Sequence, residues 1–248
     1  MGLPGLFVTG TDTDVGKTTT AVAIVAALVR EGWRVGVYKP VASGLPSAAE
    51  RGGDACRLWD AAGRPLTPQA VCPQVFSLPL APPASARAEG RRVDERLLIG
   101  GLDVWIASSD VIVVEGAGGL FSPAGDTLLN VDVARELAFP IVVVDAARLG
   151  LIGRTLATVR AARAEGLRVA AVVLSEVTPP REGAAPTADE AIVRDGRVEL
   201  MARLPGVPVA ILAHGATAAV PTIDWSAVAG CPAVPPRSAE PGPDPCRT

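Results

Sequence analysis

The stretch VTGTDTDVGKTTT, residues 8–20, decides the fold. It sets a glycine loop between an apolar run, residues 3–9, and the Ala- and Leu-rich TTTAVAIVAALVREG, which stops at Gly32. That order reads as strand, loop and helix, with Gly32 as the helix C-terminal cap. The usual phosphate-loop pattern, G-x-x-x-x-G-K-[ST], is shorter than this one, because Gly10 and Gly16 enclose five residues here. Backbone N–H groups from Gly10 to Thr18 are still expected to wrap phosphate oxygens, with the positive end of the following helix behind them. In that setting Lys17 supplies a point charge to the outer phosphates and the Thr18 hydroxyl binds Mg2+. Thr11, Asp12, Thr13 and Asp14 are left as a polar rim, which suits a cationic or amine-bearing substrate, or the metal.

Moving outward, WRVGVYKP reads as a second strand ended by Pro40. Continuous apolar runs follow at residues 110–116, 139–146, 167–177 and 206–213. Unbroken rather than alternating, they read as strands buried on both faces of a parallel sheet. Helices are predicted between them at residues 93–107, 131–138, 152–165 and 188–203. REGWRV and AEGLRV share one helix-to-strand solution and do not mark a repeated domain. The alternation predicts an α/β fold, a doubly wound, mostly parallel sheet with helices on both faces and ligands beyond the carboxyl ends of the strands. Residues 1–230 read as one domain, and the Pro-dense residues 231–248 as a disordered tail.

Composition narrows the chemistry. A net charge of -3 leaves no basic footprint for nucleic acid. No apolar run reaches the ~18 residues of a membrane span. Cys56, Cys72, Cys231 and Cys246 form no C-x-x-C pair, and no signal peptide precedes the first apolar run, so they read as thiols of a cytoplasmic protein. His214 is the only histidine, which argues against His-based zinc sites and Ser-His-Asp or Cys-His nucleophiles. Catalysis must then use lysines, hydroxyls, carboxylates and backbone amides.

Further candidates stand after the later strands. Lys39 follows the second strand. Asp54, in RGGDACRL, begins a helix either as its N-cap or as a metal ligand. Glu115, in VVEGAGG, resembles the acid that ends a Walker B strand, and the glycines after it let backbone approach a ligand closely. Thr18, Asp54 and Glu115, with nucleotide phosphates, offer the oxygen-only shell that Mg2+ demands.

The set GTDTDVGKT, YKPVASG, GGDA, VEGAGG and SEVTPP resembles the dethiobiotin synthetase family of P-loop enzymes, over residues 7–214. In that family the five-residue loop is the normal form. The resemblance implies an ATP- and Mg2+-dependent ligase of biotin synthesis, which joins CO2 (supplied as bicarbonate) to an amine of 7,8-diaminopelargonate as a carbamate. ATP then phosphorylates the carbamate to a mixed anhydride, and the second amine closes a cyclic urea. It implies a nucleotide site of Thr13, Asp14, Val15, Gly16, Lys17, Thr18 and Thr19, with Glu115, Gly118 and Ser175. The acceptor would meet Thr13, Lys39, Ser43, Gly118, Gly119 and Leu151, with Lys17 and Lys39 as catalytic cations. It also implies a homodimer in which the substrate's carboxylate tail meets the neighbouring subunit at RLGLIG, residues 148–153.

The chain departs from the family's pattern at Gly153 and Arg154, where Asn-His is common, and at Pro82-Pro83, where Pro-His is. Many members carry an Asn in place of Ser175 to read adenine, and a Gly-x-x-Pro turn where residues 211–214 stand. A hydroxyl cannot match the paired donor and acceptor of an amide, so base preference is expected to be broadened or altered. Two other readings fit parts of the pattern: a nucleotide-binding paralogue with another acceptor, and a partition-type ATPase switch. The second calls for an additional Lys near Gly10 and Thr11, which is not there.

Overall fold

The protein is described here from a computed structural model that covers residues 3–178, 188–216 and 223–235. The predicted tail lies beyond these residues from 236 onward.

Six strands form the central sheet in the order β2-β5-β1-β6-β7-β8, every pairing parallel. They are β1 (Gly5–Gly10), β2 (Val35–Tyr38), β5 (Val111–Gly119), β6 (Ile141–Ala146), β7 (Val169–Ser175) and β8 (Val209–Leu212). Leu6, Phe7 and Val8 of β1 are fully buried, as are Val111 to Val114 of β5 and Ile141 to Val144 of β6. Helices on both faces leave no position where a polar residue would meet water, which is why the runs do not alternate. A small sheet of β3 (Ala42–Ser43) and β4 (Val75–Phe76) flanks this one.

Helix α1 (Lys17–Arg30) follows β1, and its N-cap Gly16 has φ +91°. It ends at Gly32, also φ +91°, where the N–H of Gly32 donates to Val29 O and that of Trp33 to Leu28 O, a Schellman turn. Helix α8 (Leu151–Ala164) ends the same way: Gly166 donates to Arg163 O and Leu167 to Ala162 O. The shared Glu-Gly connection is thus one backbone solution used twice.

The structure corrects several expected elements. The helix predicted over 93–107 is two short ones, α5 (Glu95–Gly100) and α6 (Asp103–Ile106). Asp94 caps α5 by accepting from Arg96 N. At Gly101 the chain passes against the Tyr38 hydroxyl, which donates to Leu97 O, and no side chain would fit between them. Strand β5 runs on to Gly119 instead of stopping near Gly116, because Gly119 pairs with Gly10 beyond a bulge in β5. Three further helices carried a legible signal, Pro in the first turn or a capping Asp: α3 (Pro68–Val71), α4 (Pro82–Ala88) and α10 (Trp225–Ala229). Helices α2 (Asp54–Ala61), α7 (Asn130–Leu137) and α9 (Ala188–Arg203) complete the set.

Candidate active site

The carboxyl ends of β1, β2, β5, β7 and β8 open onto a cavity of about 590 Å³. Gly16 and Lys17 bring the loop after β1 to its floor, and Lys17, first residue of α1, is only 7% exposed. Its ammonium donates to Asp12 O at 2.8 Å, which aims it across the loop. Burial is the main influence on Lys17 and, helped by the nearby Lys39 charge, holds it below the usual lysine range despite the pull of Glu115 and Asp54. A lysine kept short of counter-charge in this way is suited to an incoming anion.

Beside it stands a compact cluster. The Thr18 hydroxyl donates to Glu115 Oε1 at 2.7 Å, and the Lys39 ammonium reaches the same oxygen at 2.8 Å. Lys39 also pairs with Asp54. Register explains the meeting: Glu115 lies beside Val8 across the β1–β5 ladder, so β5 delivers its carboxylate to the start of α1. Lys39 follows β2, the other neighbour of β5. Burial alone would lower the Lys39 pKa, but Glu115 and Asp54 together outweigh it and raise the group above the ordinary lysine value. Burial would likewise raise Asp54, whereas the charge and hydrogen bond of Lys39, with the Thr18 hydroxyl and the Arg57 charge, hold it below the ordinary carboxylate range.

Asp54 is the first residue of α2, after an N-cap at Gly53, and its side chain makes no capping bond. The N-cap alternative is therefore set aside by the geometry: the carboxylate is spent on Lys39. Among the described residues no group of three or more His, Cys, Asp or Glu side chains forms a self-sufficient metal cage. What exists is a hydroxyl, two carboxylates and a buried Glu115 Oε2 with no hydrogen-bond partner. This oxygen-only set, with an acceptor left unmatched, fits an ion that completes its shell from phosphates and water, as Mg2+ does.

The other expected residues divide. Thr13, Asp14, Thr19, Ser43, Gly118 and Ser175 line the cavity. Gly118 has φ +80°, and a Cβ there would approach Thr13 Oγ1, so the two loops meet at the rim. Val15, Gly119 and Leu151 lie outside the lining. Val15 is fully buried, Gly119 donates its N–H to Ser122 Oγ, and Leu151 is 1% exposed, turned towards Gly196 of α9. Of the polar rim, Thr11 faces inward instead: its hydroxyl donates to Asp145 Oδ1 at 2.6 Å. Asp145 is fully buried and also accepts from Arg154 Nε and Thr155 Oγ1 of α8.

Several lining residues were not anticipated. Glu176, Val177, Gly215 and Ala216 join Ser175 and His214 at one end, and Arg57 and Val22 lie beside Thr19. The first four follow directly on β7 and β8, where the carboxyl-edge rule would have found them. Ser175 packs on Gly16 so closely that a Cβ at Gly16 would collide with its Oγ. Asn130 was also missed. It is 2% exposed, accepts from Ala117 N and donates to the carbonyls of Ala117, Gly119 and Ser122, which pins the end of β5 to the turn beyond it.

This geometry agrees with what the chain is similar to. A family described as an AAA domain matches residues 4–211. An ATP-dependent dethiobiotin synthetase of Rhodopirellula baltica is 46% identical over 69% of this chain and 72% of its own. Another, from Anaeromyxobacter dehalogenans (strain 2CP-C), is 40% identical over 82% of this chain and 91% of its own. The chain belongs to the ATP-dependent dethiobiotin synthetase family. A dethiobiotin synthetase of Bacillus cereus (strain B4264) is 39% identical over 70% of this chain and 71% of its own. Among solved structures, the signal recognition particle receptor FtsY of Elizabethkingia anophelis superposes with a TM-score of 0.53 at 14% identity, covering 91% of this chain. The present chain spans 64% of that receptor's length, and the likeness is one of fold alone. Lys17, Thr18, Lys39, Asp54 and Glu115 thus bring two cations, a hydroxyl and two carboxylates together on the cavity lining.

Proposed function

We propose that the chain is an ATP-dependent ring-closing ligase that converts 7,8-diaminopelargonate and CO2 into dethiobiotin. The observation that carries the reading is the meeting of Lys17 and Lys39 with Thr18, Asp54 and Glu115 on one cavity wall, together with relatives named for that activity.

A carbamate oxygen attacks the γ-phosphoryl group of ATP and the bond to ADP breaks. The second amine then attacks the carbamoyl carbon and expels phosphate. The first step spreads negative charge over the transferring group, and the protein's task is to hold positive charge beside it. Lys39, with its pKa raised, stays protonated through neutral pH and so serves as a fixed cation, not as a proton acceptor. Lys17, short of counter-charge, gains most when the phosphates arrive. Backbone amides of the loop and the α1 N-terminus hold the remaining phosphates. Thr18, Asp54 and Glu115 would hold Mg2+, which neutralises phosphate charge when bound.

Thr13, Ser43 and Gly118 line the cavity, and in this reading they would meet the acceptor. Gly119 enters this reading, like Gly118, through close approach of its backbone, and Leu151 through a second subunit. The chain before α8 exposes Leu149 at 79%, which supports a homodimer whose partner covers that corner and receives the substrate's carboxylate tail. Free thiols at Cys56, Cys72 and Cys231 accord with a cytoplasmic setting. No described helix is long and apolar enough to cross a membrane.

The test is turnover of purified protein with diaminopelargonate, bicarbonate, Mg2+ and ATP, following dethiobiotin and released phosphate. Dethiobiotin formation that disappears in Lys17→Ala is expected. Phosphate release without any dethiobiotin would favour the nucleotide-binding paralogue with a different acceptor.

A further inference from the structure

Arg57 is the cation in the cavity that the reading above leaves without a task. It sits one turn after Asp54 on α2, and its backbone N–H donates to Gly53 O, closing the first turn of that helix. Buried Ala55 and Leu58 fix which side of α2 faces inward. Its guanidinium is held across the gap to α1 by a 3.0 Å hydrogen bond from Nη2 to Thr19 Oγ1. Both residues line the cavity.

Two features separate this arginine from an ordinary surface cation. Among the described residues no carboxylate lies within ion-pair distance of it. A guanidinium carries five N–H donors in a planar fork, and a single hydrogen bond, to the Thr19 hydroxyl, is made by its side chain among the described residues. The remaining donors are left unspent on a residue that lines the cavity, and an arginine matches paired phosphate oxygens better than any other side chain.

Position along α1 says which phosphate. Lys17 and Thr18, at the helix start, serve the outer phosphates and the metal. Thr19 is the next residue and Val22 lies one turn further on, and both line the cavity; in the nucleotide site proposed above, this stretch would lead from the outer phosphates towards the nucleoside. An arginine tethered to Thr19 therefore lies on the inner side of the polyphosphate chain. Resting on the nucleotide site proposed above, we infer that Arg57 is a binding residue for the α-phosphate of the nucleotide, positioned by Thr19 and shared alike by substrate ATP and product ADP.

The experiment is titration calorimetry of ATP and of ADP on the wild-type protein, Arg57→Ala, Arg57→Lys and Lys39→Ala. The α-phosphate assignment requires Arg57→Ala to weaken ATP and ADP by the same factor, about tenfold for a lost charge-assisted contact. Arg57→Lys should recover part of that loss for both. Lys39→Ala, on the γ side, should weaken ATP more than ADP. A loss confined to ATP would move Arg57 to the γ-phosphate, the one group ADP lacks, and overturn the inference, as would unchanged affinity for both nucleotides. If Arg57→Ala does not fold, Arg57→Lys decides, because equal affinity to wild type for both ligands would show that no paired contact was lost. A wild-type protein that binds neither nucleotide would instead bring down the nucleotide site itself.

Discussion

The Lys39 ammonium lies 2.8 Å from Glu115 Oε1, with both side chains almost wholly out of solvent. Removing one member of such a pair leaves the other charge buried without compensation, which costs about 3–5 kcal/mol. Lys39→Ala is therefore expected to lower thermal stability markedly and to reduce kcat by about a hundredfold or more. Differential scanning calorimetry and steady-state rates check both. A variant with wild-type stability and rate would show that the pair is incidental.

The pH dependence has three parts of different sign. Asp54, held below its ordinary value of 3.8, contributes stability that is present above that value and lost as pH falls through the lowered one. Lys39, held above 10.5, contributes stability that is complete below 10.5 and lost as pH rises through the raised value. Lys17, held below 10.5, works the other way: its burial as a cation costs stability, and the cost is relieved as pH climbs through its lowered value towards 10.5. Phosphate binding should restore the Lys17 proton. Calorimetry of ADP binding at alkaline pH, in buffers of different ionisation enthalpy, should thus show proton uptake, and an enthalpy independent of buffer up to pH 10 would contradict it.

Gly16→Ala should eliminate nucleotide binding. Gly16 has φ +91°, where a Cβ costs about 1–2 kcal/mol, and the new methyl would collide with Ser175. The loop must shift to accept it, and the amides that hold phosphate shift with it. Fluorescence titration with a labelled nucleotide measures the loss; affinity within a factor of about two of wild type would refute the placement of this loop.

Base selectivity should be weak. Ser175 offers one hydroxyl where a reader of adenine needs a donor and an acceptor together, and it is pressed against Gly16. The values of kcat/KM for ATP, GTP and CTP are expected to agree within about tenfold, and an ATP preference beyond about a hundredfold would refute this.

Asn130→Ala removes an accepted hydrogen bond and the two donors that Nδ2 shares among three carbonyls at the end of β5 and in the turn beyond it. At about 1 kcal/mol each in net terms, the set is worth ~2–3 kcal/mol of stability. Because Gly118 lies in the segment so held, KM for the diamine should rise more than KM for ATP. Equal changes in the two constants would leave Asn130 a purely structural role.

The sheet was legible because β1, β5, β6 and β7 are buried on both faces, and an unbroken apolar run of strand length, bounded by turn residues, has few alternative folded forms. Four of the five clustered residues were legible for a related reason: Lys17, Thr18 and Lys39 follow β1 and β2, Glu115 lies in the carboxyl half of β5, and a parallel sheet gathers its carboxyl ends. What stayed hidden depended on contacts distant in sequence. Nothing near Gly100 announces that Tyr38 will press on Gly101 and divide the predicted helix. Thr11 looked like a phosphate-facing rim residue because Asp145, its partner, is 134 positions away. Asn130 looked like an ordinary residue at a helix start, since its partners belong to the end of β5 and a turn beyond it whose shape the sequence does not display.

Asp145 joins two regions that a mutational survey would treat as separate. Its carboxylate takes hydrogen bonds from the phosphate loop through Thr11 and from the opening turn of α8 through Arg154 and Thr155. Drift on either side is consequently not free in this protein: loss of the threonine hydroxyl leaves an under-satisfied acid, and loss of the arginine leaves that acid with less compensation. Substitutions at Thr11 and Arg154 should therefore be felt jointly, through the one acid they share.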